Sequence, residues 1–191
     1  MPAQNLERFN NAPAPEAHHT LLTCLHSPRW AHRLTTHRPY PDLPSLLAAA
    51  DEATYDLSPS DLAEALAGES LAPLPDNGYS AARTALDAAQ AAYERRFGHT
   101  FVICLDDVPP DEAPAQVLAA IRSRLTNDPE EERVIAAEEL RRLARGRLVR
   151  AAQGHDRPPP ARTRHTLRAP APAAAPAPPS VRVRSPGQTP L

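Results

Sequence analysis

Apolar residues recur at spacings of three and four along most of the first 150 residues, and this spacing limits the fold more than any other feature. The stretches that show it are Pro15 to His26, Asp42 to Ala50, Ala81 to Phe97, Asp111 to Arg124 and Asp128 to Ala152. Ser27-Pro28 and Ser58-Pro59 mark two further helix starts, and Gly68 is expected to end the second of these helices in the left-handed conformation. The sequence therefore predicts an all-α domain of about seven helices.

A short apolar run from Phe101 to Leu105 contains β-branched residues and could, taken alone, form a strand. A single strand without a partner strand is not stable, so we interpret this run as a buried extended connector. Residues 69–79 break the periodicity and are expected to form a loop.

The C-terminal part differs in composition from the rest. Residues 156–191 contain ten prolines, six arginines and one acidic residue, without an aromatic side chain. This segment has a net charge of +5, and because the whole chain has a formal charge of −2, residues 1–155 carry −7. We predict a helical domain over residues 5–152 and a disordered Pro/Ala/Arg-rich tail over residues 153–191. Since prolines separate the arginines and no aromatic platform accompanies them, no specific nucleic-acid binding is expected.

Composition excludes several kinds of chemistry. All 21 basic residues are arginine, so a Schiff-base lysine and a P-loop lysine are excluded. Cys24 and Cys104 form no CxxC pair, and no second cluster of Cys and His has zinc-ligand spacing, so no metal site is expected. The chain opens without a signal peptide and contains no apolar run of membrane-spanning length, which predicts a cytoplasmic protein that does not enter a membrane.

One charged residue conflicts with the periodicity of the last helix. Arg147 falls on the apolar stripe that includes Leu143, Ala144 and Leu148. An arginine there either forms a structural ion pair with a carboxylate of a neighbouring helix or binds an anionic ligand. Periodicity alone favours the ion pair.

Several short phrases, in this order and at this spacing, resemble a known family. They are Phe9-Asn10, Cys24-Leu25-His26-Ser27-Pro28-Arg29-Trp30-Ala31, Arg38-Pro39-Tyr40, Tyr93 to Ile103 and Arg124 to Glu132. The chain resembles the 2-oxo-4-hydroxy-4-carboxy-5-ureidoimidazoline (OHCU) decarboxylases of urate breakdown. The resemblance implies an all-α fold and a cofactor-independent decarboxylation of a small ureide acid to S-allantoin. Members of this family are commonly homodimers.

The resemblance also assigns roles to individual residues. Arg147-Leu148 matches an Arg-Leu pair whose arginine binds the acidic ureide, and a guanidinium fork suits a carboxylate. Val102 and Ile103 match a segment that lines the pocket, partly through its backbone N–H groups, although ordinary core packing accounts for their side chains.

Two catalytic elements of the family are altered in this chain. The catalytic histidine of a His-Pro pair is replaced by Glu69, which is either a catalytic substitute or an exposed loop residue. Ser80-Ala81-Ala82-Arg83-Thr84 imitates the frame of the downstream Ser-x-x-Glu-Gln, with arginine where the acid should be. Because the distance from Glu69 to Tyr93 is about ten residues shorter than the family pattern, we interpret this match as accidental and the catalytic loop as deleted. Two functions remain open: an active OHCU decarboxylase with a rebuilt site, and an inactive paralogue that keeps the fold for binding or interaction. An unrelated decarboxylase or lyase using the same pocket is a third alternative.

Overall fold

The computed structural model of the protein describes residues 2–71 and 80–153, with side chains over residues 4–71 and 83–153. Within these ranges the chain forms eight α-helices and no β-strand, which confirms the all-α prediction. The helices are α1 (Pro2–Asn11), α2 (Ala14–Cys24), α3 (Pro28–Thr36), α4 (Leu43–Tyr55), α5 (Pro59–Ala67), α6 (Ser80–Phe97), α7 (Ala113–Arg124) and α8 (Pro129–Gln153). None of the described helices combines the length and apolarity needed to cross a membrane.

Helix α1 is the element that the sequence did not predict. Its apolar residues, Leu6 and Phe9, are too few to set up a visible period. Contacts with distant parts of the chain hold it in place instead: Leu6 is buried in the core, and Asn5 donates a hydrogen bond to the carbonyl of Ala152 at 2.9 Å. The helix therefore depends on α8, against which it packs.

The predicted helix starts are confirmed by capping contacts. The hydroxyl of Ser27 accepts a hydrogen bond from the backbone N–H of Trp30, which places the start of α3 at Pro28. Ser58 and Asp61 form a complete capping box at the start of α5. Each of these helices has proline at its first position, where the missing N–H costs nothing.

The buried side chains form two clusters. The larger one joins α1–α5 to α8 and contains Leu21, Trp30, Leu34, Leu46, Leu66, Leu140 and Leu148. The smaller one joins α6 and α7 and is formed by Tyr93, Phe101, Val117 and Ile121. Phe97 is only partly buried and packs against the smaller cluster.

The connector from Phe101 to Leu105 runs between these two clusters. Val102 packs into the larger cluster, whereas Phe101 and Ile103 pack into or against the smaller one. Such alternation is what an extended backbone produces, since successive side chains point to opposite sides. The segment forms no strand, as predicted, and its burial is confirmed for Phe101 and Val102, whereas residues 103–105 are half-buried.

A polar clasp holds the end of α1 against the segment after α3. Nη1 of Arg38 donates to the carbonyls of Phe9 (2.6 Å) and Ala12 (2.8 Å), and the guanidinium lies 5.4 Å from the centroid of the Phe9 ring. The side chain of Asn10 pairs with both the N–H and the carbonyl of Tyr40. Two of the phrases that carry the family resemblance therefore meet in a structural contact.

A second clasp is buried between α6, α7 and α8. Glu132 is fully buried and accepts hydrogen bonds from Arg124, from the hydroxyl of Tyr93 and from Asn127. Arg124 also donates to the carbonyl of Val102 at 2.7 Å, which fixes the connector. Burial, with a further contribution from Glu132, raises the pKa of the Tyr93 hydroxyl well above its usual range.

The predicted tail lies outside the described residues, apart from Gln153 at the end of α8. The boundary between domain and tail remains a prediction.

Candidate functional site

The two charged residues singled out from the sequence meet in the structure. Nη1 and Nη2 of Arg147 donate to Oε1 and Oε2 of Glu69, each at 2.7 Å. The side chain of Glu69 is 5% exposed and that of Arg147 is 29% exposed. Both carboxylate oxygens are thus engaged in a two-pronged ion pair that is largely shielded from water.

Arg147 also contacts a third part of the chain. Its Nη1 atom donates to the carbonyl of Cys24 at 2.9 Å. Cys24 is the last residue of α2, and Glu69 follows α5 by two residues, so the guanidinium joins the C-terminal ends of two helices to α8. Carbonyl groups at a helix end lack partners within the helix and carry partial negative charge, which suits a cation.

The simpler interpretation of Glu69, as an exposed loop residue, is therefore wrong. The carboxylate that pairs with Arg147 does not belong to a neighbouring helix either, since Glu69 lies in the segment beyond α5. Sequence reasoning identified Arg147 as an ion-pair candidate but did not identify its partner. The family resemblance had already placed Arg147 and Glu69 in the same site. Their opposite charges were the signal from which the ion pair between them could have been predicted.

His26 lies directly against the residue that precedes Glu69. A Cβ atom built on Gly68 would come within 2.4 Å of His26 Cβ and 2.5 Å of His26 Nδ1. Gly68 has φ −80° and ψ −10°, so the prediction of a left-handed terminator is wrong. The glycine is needed because the α2–α3 turn approaches the backbone so closely that the exposed His26 side chain lies against residue 68.

The electrostatics of the pair keep the arginine charged. Hydrogen bonding to Glu69 raises the pKa of Arg147, and this effect outweighs the opposing effect of desolvation. An anionic ligand would have to displace Glu69 from the guanidinium and leave a second negative charge close by. In this arrangement Arg147 is occupied by a side chain of its own protein.

Val102 and Ile103, the other predicted binding residues, belong to the connector. No hydrogen bond or ion pair joins Arg147 to either residue within the described part of the chain. The carbonyl of Val102 accepts from Arg124, and the N–H of Cys104 donates to Glu139 at 2.7 Å. The residues 72–79 of the predicted loop lie outside the described residues. Over the described ranges, no three His, Cys, Asp or Glu side chains are grouped so as to hold a metal ion.

The model of the OHCU decarboxylase family matches residues 10–70 and 72–149, which is well over half of the sequence. The chain belongs to the OHCU decarboxylase family. Glu69 and Arg147 both lie within the matched residues. A comparison with curated protein sequences finds no match.

Solved structures of related fold agree with this membership. A crystal structure of (S)-allantoin synthase is 20% identical, with a TM-score of 0.61 over 76% of this chain and 53% of that protein. A crystal structure of OHCU decarboxylase in the presence of (S)-allantoin is 21% identical, with a TM-score of 0.61 over 69% of this chain and 96% of that protein. The chain thus spans about half the length of the first structure and nearly all of the second. At these identities the likeness establishes the fold.

Proposed function

We propose that this chain is a catalytically inactive member of the OHCU decarboxylase family that keeps the fold as a ligand-binding or interaction protein. The observation that supports this proposal is the two-pronged contact between Glu69 and Arg147. It occupies the two side chains that the family resemblance assigns to proton transfer and to substrate binding.

The chemistry of decarboxylation explains why this contact is unfavourable for catalysis. Loss of CO₂ leaves the electron pair of the broken C–C bond on the ring carbon, which must then receive a proton on one face. A carboxyl group that accepts two charge-assisted hydrogen bonds does so as the carboxylate, which has no proton to deliver. The guanidinium, in turn, has no free fork for the substrate's carboxylate while Glu69 remains bound.

The second candidate function is decarboxylation of OHCU to S-allantoin in urate breakdown, with a rebuilt site. The observation that favours it is that Glu69 and Arg147, which are 78 residues apart in sequence, lie in direct contact. The N–H groups of Val102 and Ile103 also form no hydrogen bond with any described residue, so they could receive developing negative charge. Glu69 would then have to leave Arg147 and take up a proton before each turnover.

One assay distinguishes the two functions. Freshly generated OHCU is supplied to the purified full-length protein, and the optical activity of the allantoin formed is followed over time. The inactive protein should give racemic allantoin at the spontaneous rate. Accelerated formation of the S enantiomer would contradict the proposal and establish the decarboxylase.

Two variants connect the assay to the site. If the protein is active, Glu69→Gln should abolish turnover while ureide binding persists, and Arg147→Ala should abolish both. If it is inactive, neither substitution should change the rate of allantoin formation.

A further inference from the structure

A cavity with a volume of about 320 Å³ lies between α1, α2, α4 and α8. This volume is near the lower end of the range for small-molecule sites, about 300–1,000 Å³, and suits a ligand of the size of a single amino acid. Neither Glu69 nor Arg147 lines the cavity. Its contents therefore do not depend on the ion pair between these two residues.

The interior of the cavity is aliphatic and belongs to the core. Its buried lining residues are Leu6, Ala17, Leu21, Leu46, Leu148 and Ala152. The hydrogen bond from Asn5 to the carbonyl of Ala152, at 2.9 Å, ties together two of the helices that enclose the space. Because core packing already holds this surface in place, a small apolar side chain can enter it at little cost in ordering the protein.

Two charged residues of opposite sign line the same cavity. Arg8 of α1 and Glu16 of α2 are both exposed, so they stand where the cavity meets solvent. Within the described part of the chain, neither side chain forms a hydrogen bond or an ion pair, and the hydroxyl of Thr20 donates to the backbone carbonyl of Glu16 rather than to its carboxylate. A guanidinium fork and a carboxylate at the edge of one small apolar space are thus available to the two charged ends of a single ligand.

We propose that this cavity binds a free α-amino acid with an aliphatic side chain. The side chain occupies the interior, the carboxylate pairs with Arg8 and the ammonium group pairs with Glu16. A fatty acid would bring its carboxylate close to Glu16, and an alkylamine would bring its ammonium group close to Arg8, so repulsion between like charges disfavours both. The proposal concerns a different cavity from the Glu69–Arg147 site, so it holds whether or not the chain decarboxylates OHCU.

Leucine and three analogues form a matched set of probes for this class. Leucinamide lacks the carboxylate, isocaproate lacks the ammonium group, and alanine lacks most of the apolar side chain. Titration of the full-length protein by calorimetry should show saturable binding of leucine, with each analogue weaker by about tenfold or more. No saturable binding of leucine, or isocaproate or leucinamide binding as tightly as leucine, would overturn the proposal.

Two charge variants assign each end of the ligand. Arg8→Gln should weaken leucine binding by about tenfold but leave leucinamide, which has no carboxylate, unchanged. Glu16→Gln should weaken leucine binding by about tenfold but should not weaken isocaproate, which has no ammonium group. Glu7→Gln, at an exposed position of α1 outside the cavity, is the control and should leave leucine binding unchanged. Leucine binding that resists both Arg8→Gln and Glu16→Gln, or that Glu7→Gln reduces equally, would overturn the proposal.

A filled cavity tests where the ligand binds. Ala151→Leu adds atoms to a residue that lines the cavity and should remove leucine binding, while Ala48→Leu, at an exposed site of α4 outside the cavity, should leave it unchanged. Full leucine binding by Ala151→Leu protein, with folding checked by thermal unfolding, would also overturn the proposal. The OHCU assay reports on the Glu69–Arg147 site, so the two proposals fail independently.

Discussion

The carboxylate of Glu69 and the guanidinium of Arg147 share two hydrogen bonds of 2.7 Å, and the same guanidinium reaches the carbonyl of Cys24. One side chain of α8 thus binds the last carbonyl of α2 and the side chain of a residue just beyond α5. The arrangement accounts for an arginine on an otherwise apolar stripe: its charge is matched by an acid that is even more buried than the arginine itself.

We expect Arg147→Gln to lower the free energy of unfolding by about 2 kcal/mol, because it leaves the nearly buried Glu69 carboxylate without its cation. Glu69→Gln should cost less, about 1 kcal/mol, since the arginine that remains is partly exposed. Urea unfolding of both single variants and the double variant should show strong non-additivity. Arg145→Ala, which removes a more exposed ion pair of the same helix, serves as the control and should cost at most about 0.5 kcal/mol. Additive losses would show that the pair is not coupled.

The buried clasp around Glu132 leads to a second prediction. Glu132→Gln should lower the free energy of unfolding by about 3 kcal/mol, because Arg124 would remain buried without a counter-charge. Glu131→Gln, at an exposed position in the same turn, should change stability by less than about 0.5 kcal/mol. Equal effects of the two substitutions, measured by thermal and urea unfolding, would contradict the buried-pair interpretation.

The helices and their starts were predictable because their signals are local. Ser58 and Asp61 lie three residues apart and form the capping box that the sequence indicates. The same holds for Ser27, whose hydroxyl caps α3. The end of α4 was placed too early, since Ala53 and Thr54 are buried by tertiary packing that the sequence does not show.

Contacts between distant segments could not be predicted from the same signals. Glu132 reads as a first-turn acid that complements the helix dipole, yet it is fully buried by Arg124 and Tyr93 from two other helices. The sequence indicates that Gly68 ends a helix in the left-handed conformation, whereas its conformation is right-handed. Glycine is required at this position because the side chain of His26, 42 positions earlier in the chain, lies too close for a Cβ atom. The burial of Glu132 and the reason for glycine at position 68 become evident only from the three-dimensional arrangement.

Deprotonation of the buried Tyr40 hydroxyl should lower the stability of the protein at alkaline pH. Its hydroxyl donates to the carbonyl of Leu34 at 3.0 Å, and burial raises its pKa from 10.0 to about 12. Because the folded state favours the protonated form, this contribution is fully present below pH 10 and is lost as the pH rises towards about 12. Tyr40→Phe should be about 1 kcal/mol less stable at neutral pH, through loss of the hydrogen bond, and should lose less stability than the unmodified protein at alkaline pH. Urea unfolding at neutral and alkaline pH tests this. Identical alkaline losses in the two proteins would show that Tyr40 does not contribute.

The two glycines that end α5 and α6 should respond to alanine for different reasons. Gly68 has a right-handed conformation that alanine adopts freely, so the obstacle to Gly68→Ala is the Cβ atom of His26 at 2.4 Å, which the backbone holds in place. Gly98 has open space around it but a φ of +76°, which strains any residue with a Cβ. We expect Gly68→Ala to cost about 2 kcal/mol and Gly98→Ala about 1 kcal/mol.

A second substitution separates these causes. Adding His26→Gly removes the atom that blocks residue 68, so it should recover part of the loss in Gly68→Ala, even though His26→Gly alone is mildly destabilising. The same substitution should not relieve Gly98→Ala, because the strain at residue 98 lies in its own backbone. Thermal unfolding of the five variants measures both couplings. If His26→Gly rescued neither glycine variant, or rescued both equally, the close approach of His26 to Gly68 would not be the reason for the glycine at that position.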